Sequence, residues 1–324
     1  MWHVGGAGVA GSYLYRRMKD SGFGVSLYDP KRPDYYIPCG FATNRNHISK
    51  FLGNVSISID EILEREAYEI TISGNNFSGS NFLPKGLCTI DKMKMEKLMV
   101  ENDVVNRFII PQDSGKIIDA TGISRYYLGK IDNDVKMYAM EKVCRESPYS
   151  DFHFHFFRGG TGYFWSFPLK DRYHIGAGGI NLDEVKSYLE NYKGERVVSR
   201  NIRMMPTIGN ISSNNVIGTG ESIGFISPLL GEGIVPAMEN AELLFQCMKK
   251  TEEINELKII YADSVKKKLL LYGQIGKLVI NIQKKRVFNM HNILTIGGAI
   301  REVGNFGMKP EIMKILWHFI ARRE

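Results

Sequence analysis

The sequence predicts an α/β fold: a Rossmann-like dinucleotide-binding domain with an inserted antiparallel β-sheet and a helical C-terminus. Three observations carry this reading. The first 29 residues spell a strand, a glycine turn, a helix and a second strand. A second glycine-rich passage, GTGESIGFISPLLGEGI, follows a strand near residues 215–217 and opens another helix. Between the two lie alternating, aromatic-rich segments with no repeat and no low-complexity linker, so any second domain is woven into the first.

In chain order, Trp2 to Val4 leads into GGAGVAG, where Gly6, Gly8 and Gly11 take the spacing G-x-G-x-x-G and Ala10 precedes the last glycine. One glycine makes the tight turn, one lets the backbone approach a pyrophosphate, and one lets helix and strand pack closely. The helix Ser12 to Ser21 then offers its N-terminal amides to an anion. The strand Val25–Tyr28 ends at Asp29, an acceptor for an unphosphorylated ribose, which favours FAD or NAD over NADP.

A loop, Pro30 to Thr43, carries Ile37-Pro38-Cys39-Gly40-Phe41. Segments 68–72 and 82–90 alternate like strands around the turn-rich SGNNFSGSN, and Asp91 caps a helix over 92–102. A strand near 108–110 precedes an apolar strand that runs into Ala120-Thr121-Gly122 and so returns to the nucleotide site. From 135 to 180 the pattern is aromatic and alternating. His153 and His155 share one face there without a third ligand, which reads as the polar face of a strand and no metal site. Past the strand near 215–217, Gly220 and Glu221 close one turn, and Gly231-Glu232-Gly233-Ile234 opens a helix. Two distant glycine turns, each feeding a helix, imply one long ligand gripped at two places. FAD has that length; NAD alone leaves the second turn unexplained. Beyond residue 250 the chain reads as helices, the last over 310–322.

Composition narrows the classes. Apolar content of 44% and charged content of 24% are those of a globular protein, and no stretch approaches the ~20 apolar residues of a membrane span. The N-terminus is spent on a strand, so a cytoplasmic location is expected. The four cysteines lack metal-ligand spacing and read as reduced thiols. From residue 241 onward, 15 Lys and Arg face 8 Asp and Glu, which accounts for the whole net charge of +7. Clusters such as Lys266-Lys267-Lys268 and Lys284-Lys285-Arg286 could rest on an anionic membrane surface or an acidic redox partner, or simply face solvent. No nucleic-acid-binding motif accompanies them.

These residues carry a resemblance. Tyr163, Trp165, Phe167 and Pro168, followed after seven residues by Gly176 and Gly178, resemble the Y-x-W-x-F-P-x7-G-x-G motif of the geranylgeranyl reductase family, within the p-hydroxybenzoate hydroxylase-like flavoproteins. Pro38-Cys39-Gly40 resembles that family's segment beside the flavin, and the run Gly224 to Ile234 resembles its G-F-x-x-P-x-x-G-E-G-I stretch. Departures are Glu221 where the family has Asp, Lys92 where relatives often place Arg, and a shorter chain. The resemblance implies a glutathione reductase/p-hydroxybenzoate hydroxylase-type FAD domain over 1–60, 85–130 and 206–250. It also implies an antiparallel-sheet substrate domain over 61–84 and 131–205 and a helical region over 251–324.

For the site, it implies FAD held by Gly6, Gly8, Ala10, Gly11, Asp29, Cys39, Gly40, Lys92, Ala120, Thr121, Gly122, Gly220, Glu221, Pro228, Gly231, Glu232, Gly233 and Ile234. The amides of the helix starting at Gly233 would face the flavin ring. Tyr163, Trp165 and Phe167 would share a face that either lines a lipid channel or fills the sheet core. Cys39 is the candidate catalytic residue, and acting, pairing with a thiol and packing are all open to it. The implied reaction is hydride transfer from flavin to a carbon-carbon double bond of an isoprenoid lipid, with NAD(P)H or ferredoxin as external electron donor. A flavin hydroxylase and an FAD electron carrier are the rival readings.

Overall fold

A computed structural model describes residues 1–31, 35–74, 77–100, 103–111, 114–284 and 293–309. In order, the chain forms β1 (Trp2–Gly5), α1 (Val9–Asp20), β2 (Val25–Tyr28), β3 (Ala42–Asn44), α2 (Arg45–Gly53), β4 (Leu63–Glu66), β5 (Ile70–Gly74), β6 (Phe77–Phe82), β7 (Leu87–Ile90) and α3 (Lys92–Met99). There follow β8 (Val105–Asn106), β9 (Lys116–Asp119), β10 (Lys136–Cys144), β11 (Phe152–Phe156), β12 (Gly162–Pro168), β13 (Tyr173–Gly179), α4 (Leu182–Ser187) and β14 (Arg196–Arg203). Last come β15 (Ser212–Ser213), β16 (Val216–Gly218), α5 (Ile234–Met248), α6 (Ile254–Gln283) and α7 (Ile293–Asn305). The helix expected over 310–322 and the basic residues Lys285 and Arg286 lie outside the described residues.

Strands β16, β9, β1, β2 and β8 run parallel in one sheet, with β15 added antiparallel at its edge. This is the sheet to which the sequence assigns nucleotide binding. Helix α1 buries Tyr13, Leu14 and Met18 against this sheet and against Leu244, Phe245 and Met248 of α5. Close approach is enforced at Gly11: a Cβ there would stand 1.8 Å from the Gly6 carbonyl oxygen. Gly6 itself, at φ +101°, turns the chain against the backbone of Ala120. Two of the three motif glycines thus serve packing and turning.

A seven-stranded sheet runs β14-β10-β13-β12-β11-β5-β6, antiparallel except where β5 joins β11. One face carries Phe152, Phe154, Trp165 and Phe167 and meets Val303 of α7 and Phe306 just beyond its end; the other carries Phe157, Phe164 and Ile175 beneath α4. A third, three-stranded sheet joins β3, β7 and β4.

Several expected elements differ. The strand expected over 82–90 is broken, because Pro84 and Gly86 (φ +89°) turn the chain between β6 and β7. The strand expected near 108–110 does not form. Phe108 and Ile109 are exposed, and the Ile110 amide donates to the Tyr127 hydroxyl instead of a ladder before Pro111. Instead β8 pairs with β2. Within the segment expected as loop, β3 forms, and its Asn44 caps α2 by accepting from the amides of Asn46 and His47. His153 and His155 share the Ser73 hydroxyl, at 3.2 and 2.9 Å.

Across β10, β13 and β12 the residues Glu141, Gly176 and Trp165 lie in one row. A Cβ at Gly176 would meet the Trp165 indole at 2.2 Å, so glycine there is the bed of the indole. Gly176→Ala should lower folding stability by roughly 1–3 kcal/mol through overpacking. Gly297→Ala in α7, where nothing lies within 4 Å of the added methyl, should raise it by up to roughly 1 kcal/mol. Urea titrations of the two variants check both signs.

Candidate functional site

A cavity of about 460 Å³ opens at the C-terminal ends of the parallel strands and runs to the aromatic face of the large sheet. Its wall gathers most of the residues singled out in the sequence. Gly8 and Ala10 come from the first turn, Cys39 and Gly40 from the loop, and Lys92 from α3; Ala120, Thr121 and Gly122 follow β9. Glu221, Pro228, Gly231, Glu232, Gly233 and Ile234 come from the second glycine passage, and Tyr163, Trp165 and Phe167 from β12. Gly6 and Gly11 stand behind this wall as packing residues, as does Gly220, whose Cβ would meet Ala10 at 2.8 Å.

Gly8 behaves differently from its neighbours. Its φ of −78° suits any residue, and the nearest protein atom to an added Cβ is a Glu96 oxygen at 3.9 Å. Neither backbone conformation nor protein packing demands glycine there, and the space beside it at the N-terminus of α1 is open. That is the fit a diphosphate requires. Lys92 stands nearby, buried and 2.8 Å from Glu96; burial works against its charge, but Glu96 and Cys39 outweigh it and raise its pKa.

The turn after β9 is built by Asp119, which the sequence reading passed over. One of its oxygens accepts from the Thr121 amide and hydroxyl, the other from the amides of Tyr127 and Leu128. Buried Asn240 of α5 does the same for the second turn, accepting from the Thr219 hydroxyl and the Gly220 amide. Their signal is a polar residue inside an apolar run, legible only once its backbone partners are known.

Three acids also have partners within the chain. Asp29 is buried, with one oxygen accepting from the Ala7 amide at 2.9 Å and the other from Lys31, so it fastens the first glycine turn. Glu221 pairs with Arg200 and accepts from the Arg203 amide. Glu232 corrects the expectation that the first amides of α5 are open to a flavin. Its own Oε1 accepts from Ile234 and Val235 at 3.0 and 2.9 Å. Burial raises Glu232 to about 8, and those two amides only moderate the rise.

Cys39 is half-buried beside the cavity. Burial pushes its thiol up to about 11 despite Lys92, so the thiol is protonated near neutrality. All four cysteines are free. A Cβ at Gly40 would meet the Phe167 ring at 2.5 Å, which clamps this loop onto β12. The Tyr163 hydroxyl donates to the Leu230 carbonyl and ties β12 to the second glycine passage. Behind the loop, wholly buried Glu141 is also raised to about 8 by burial.

Past the aromatic row the cavity continues between α6 and α7, along Leu278, Val279, Ile282, Ile296, Ala299 and Phe306. The C-terminal basic residues divide: Lys266 and Lys267 are exposed, while Lys268 is drawn inward to Glu302 at 3.0 Å and Glu239 at 3.5 Å. Among the described residues no helix is long and apolar enough to cross a membrane.

No family model matches the chain. An uncharacterised protein of Methanocaldococcus jannaschii is 29% identical over 371 aligned positions, covering 96% of this chain and 97% of that one. Among solved structures, a geranylgeranyl bacteriochlorophyll reductase-like protein from Thermoplasma acidophilum superposes with a TM-score of 0.71 at 18% identity, over 98% of both chains. PqsL, a probable FAD-dependent monooxygenase from Pseudomonas aeruginosa, gives 0.65 at 11% identity, over 87% of this chain and 96% of that one. The chain therefore shares the fold of these proteins, one of which is described as FAD-dependent.

The buried carboxyls set a pH dependence. Glu141 and Glu232 hold protons in the folded chain that the unfolded chain releases above about pH 4.5, so their contribution falls from there to about pH 8 and is then flat. His153 and His174, lowered to about 4 by burial, act oppositely but only below about pH 6.5. Stability should therefore decline between about pH 6.5 and 8, and Glu232→Gln, which keeps the amide acceptor, should flatten the decline. Thermal midpoints across that interval test this; an equal slope in both proteins refutes it.

Proposed function

We propose that this chain is an FAD-dependent oxidoreductase that reduces carbon-carbon double bonds of an isoprenoid lipid. The observation that carries the reading is the continuity of the cavity from the space at Gly8, past the Tyr163-Trp165-Phe167 face, to an apolar passage between α6 and α7. A cofactor laid from the first turn toward the second glycine passage would leave that passage for a long, flexible hydrocarbon. The name of the Thermoplasma neighbour agrees with such a substrate.

When bound, the flavin supplies hydride chemistry. The chain's own residues do the rest. The amides at the start of α1, with Lys92, hold the diphosphate. Gly40, seated on Phe167, brings Cys39 to the cavity, and the aromatic row excludes water and orients the chain of the lipid. Glu232, bound to the first amides of α5, takes the place of an open helix terminus; protonated, it would set no negative charge against the reduced ring, whereas ionised it would.

External electrons would come from NAD(P)H or ferredoxin, and the exposed lysines of α6 would face an anionic membrane surface from which the lipid is drawn. A flavin-dependent monooxygenase is the second reading, favoured by the likeness to PqsL.

Reconstitution with FAD, anaerobic reduction and addition of a geranylgeranyl lipid separate these readings. Reoxidation by the lipid, with a saturated product seen by mass spectrometry, is the expected outcome; flavin that stays reduced until oxygen enters removes the prenyl-reductase reading. Gly8→Val should weaken FAD binding about tenfold or more by filling the diphosphate space, while leaving the thermal midpoint of the cofactor-free chain within a few degrees. Ile296→Trp should raise the lipid KM without changing FAD content.

A further inference from the structure

A second surface opening lies on the far side of the Cys39 loop. It is a groove of about 330 Å³ lined by Tyr36 and His174 together with Asp171, Arg172, Glu195 and Arg196. Neither Tyr36 nor His174 reaches the cofactor cavity, yet both touch groups that border it. The His174 Nδ1 lies 3.0 Å from the Cys39 carbonyl oxygen, which can only accept, so Nδ1 carries hydrogen and Nε2 is left as an acceptor. That Nε2 is 2.9 Å from the Tyr36 hydroxyl, which is also 3.1 Å from Glu141 Oε1. Glu141 has no exposed surface, its Oε2 has no hydrogen-bond partner, and it faces the Cys39 amide and the Trp165 indole.

Tyr36 has one proton and two partners. It can donate to His174 while accepting from a protonated Glu141, or donate to an ionised Glu141 while accepting from a doubly protonated His174. The two arrangements differ by one proton moved from the buried carboxyl to the imidazole at the groove, through a hydroxyl whose own proton shifts along. An isolated carboxyl at the sheet core costs several kcal/mol unless it is neutral or paired, and an apolar residue on this row would be cheaper. The turn residues Asp119 and Asn240 each satisfy several backbone groups, whereas Glu141 faces one backbone amide, that of Cys39, besides the Tyr36 hydroxyl and the Trp165 indole.

We propose that Glu141, Tyr36 and His174 form a proton relay between the outer groove and the cofactor cavity, with Glu141 as its inner, proton-storing end. The proposal rests on the reductive reading given above. Reduction by one reduced nicotinamide or two reduced ferredoxins brings negative charge into the cavity, and above about pH 8, where Glu141 is ionised, a proton from groove water compensates it on Glu141. In the overall reaction an alkene gains two electrons and two protons. The hydride takes both electrons and one proton to one carbon, and the other carbon takes its proton from water in the cavity; the relay supplies only the charge-compensating proton on Glu141, behind the cavity wall. The groups facing Glu141 set when it titrates: Lys92 from α3, Tyr36 and Cys39 from the loop and His174 from β13. Arg196 of β14 stacks on Tyr36 at 5.0 Å and keeps the outer end cationic. None of the three relay residues is a catalytic residue; they act through the Cys39 loop.

Infrared spectroscopy reads the relay directly. In cofactor-free protein, a pH jump from about 6.5 to 9.5 should abolish a carboxylic-acid band that is missing in Glu141→Gln, around the value given above for Glu141. Tyr36→Phe should keep the band's amplitude but slow its loss about tenfold or more, as should His174→Gln. In FAD-loaded protein, electrochemical reduction near pH 8.5 should make the same band grow, with the same slowing in Tyr36→Phe. Equal rates in wild type and Tyr36→Phe overturn the relay, and they do so even if Glu141→Gln fails to fold. A relay that behaves as expected in the cofactor-free chain, beside a reduced flavin that no lipid reoxidises, would defeat the proposed substrate and leave the relay standing.

Discussion

The absence of side chains where three elements meet governs the rest of the structure. The Gly6 carbonyl lies where a Gly11 Cβ would be, the Ala120 backbone lies where a Gly6 Cβ would be, and the Ala10 methyl lies where a Gly220 Cβ would be. Helix α1 can therefore start at the very edge of the parallel sheet, between the ends of β1, β9 and β16. Its N-terminal amides point into open space only because those strands end together. A methyl group at any of these glycines would push the helix out and close the mouth of the cavity, whatever the remaining residues did.

The second constraint is electrostatic. The cavity is walled by apolar groups, yet several acids stand in or behind that wall, and Glu96 among them pairs with Lys92. Glu221 is neutralised by Arg200, and Glu232 occupies the two amides that begin α5. Glu141 has the His174 Nδ1 3.6 Å away, uncharged near neutrality because burial lowers it to about 4, and burial favours the neutral form of the carboxyl too. Burial thus creates two carboxyls that titrate near pH 8 within one loop of the same chamber. A cofactor reduced in that chamber would add charge to it, and carboxyls that titrate near pH 8 would respond by taking up a proton once they are ionised.

What the sequence made legible follows the range of the interactions. The strand–glycine–helix unit is local: its turn, its helix start and the strand after it are all written within 29 residues, and the structure reproduces them. The Tyr163 to Gly178 motif was legible as a pattern, but its cause was not. Gly176 is glycine because Trp165 lies across it from the neighbouring strand, and register is needed to see that. Asp29 and Glu232 were assigned by position to a ligand, and the structure adds that each also accepts from backbone amides of a glycine turn. A short carboxylate beside a turn has two competing uses, and spacing alone does not separate them. Glu141, Tyr36 and His174 are 105 and 138 residues apart along the chain, measured from Tyr36, so only the sheet brings them together.

The same row of β12 explains why an apolar cavity persists in a sheet that could have closed. Tyr163, Trp165 and Phe167 all project to one face, and on the adjacent strand that face shows Gly178, Gly176 and His174. Side chains of ordinary size at 176 and 178 would fill the trough and convert the row into plain core. With glycine there the indole lies flat, Gly40 can sit on Phe167, and the volume that the missing side chains leave is displaced toward α6 and α7. Helix α7 and the residue just beyond its end cover that volume with Ala299 and Phe306 without filling it. A void of this size lined by apolar groups forfeits packing energy that a closed core would have kept. Its persistence between a sheet and two helices is the structural reason to look for an occupant that is long, apolar and able to enter from the helical side.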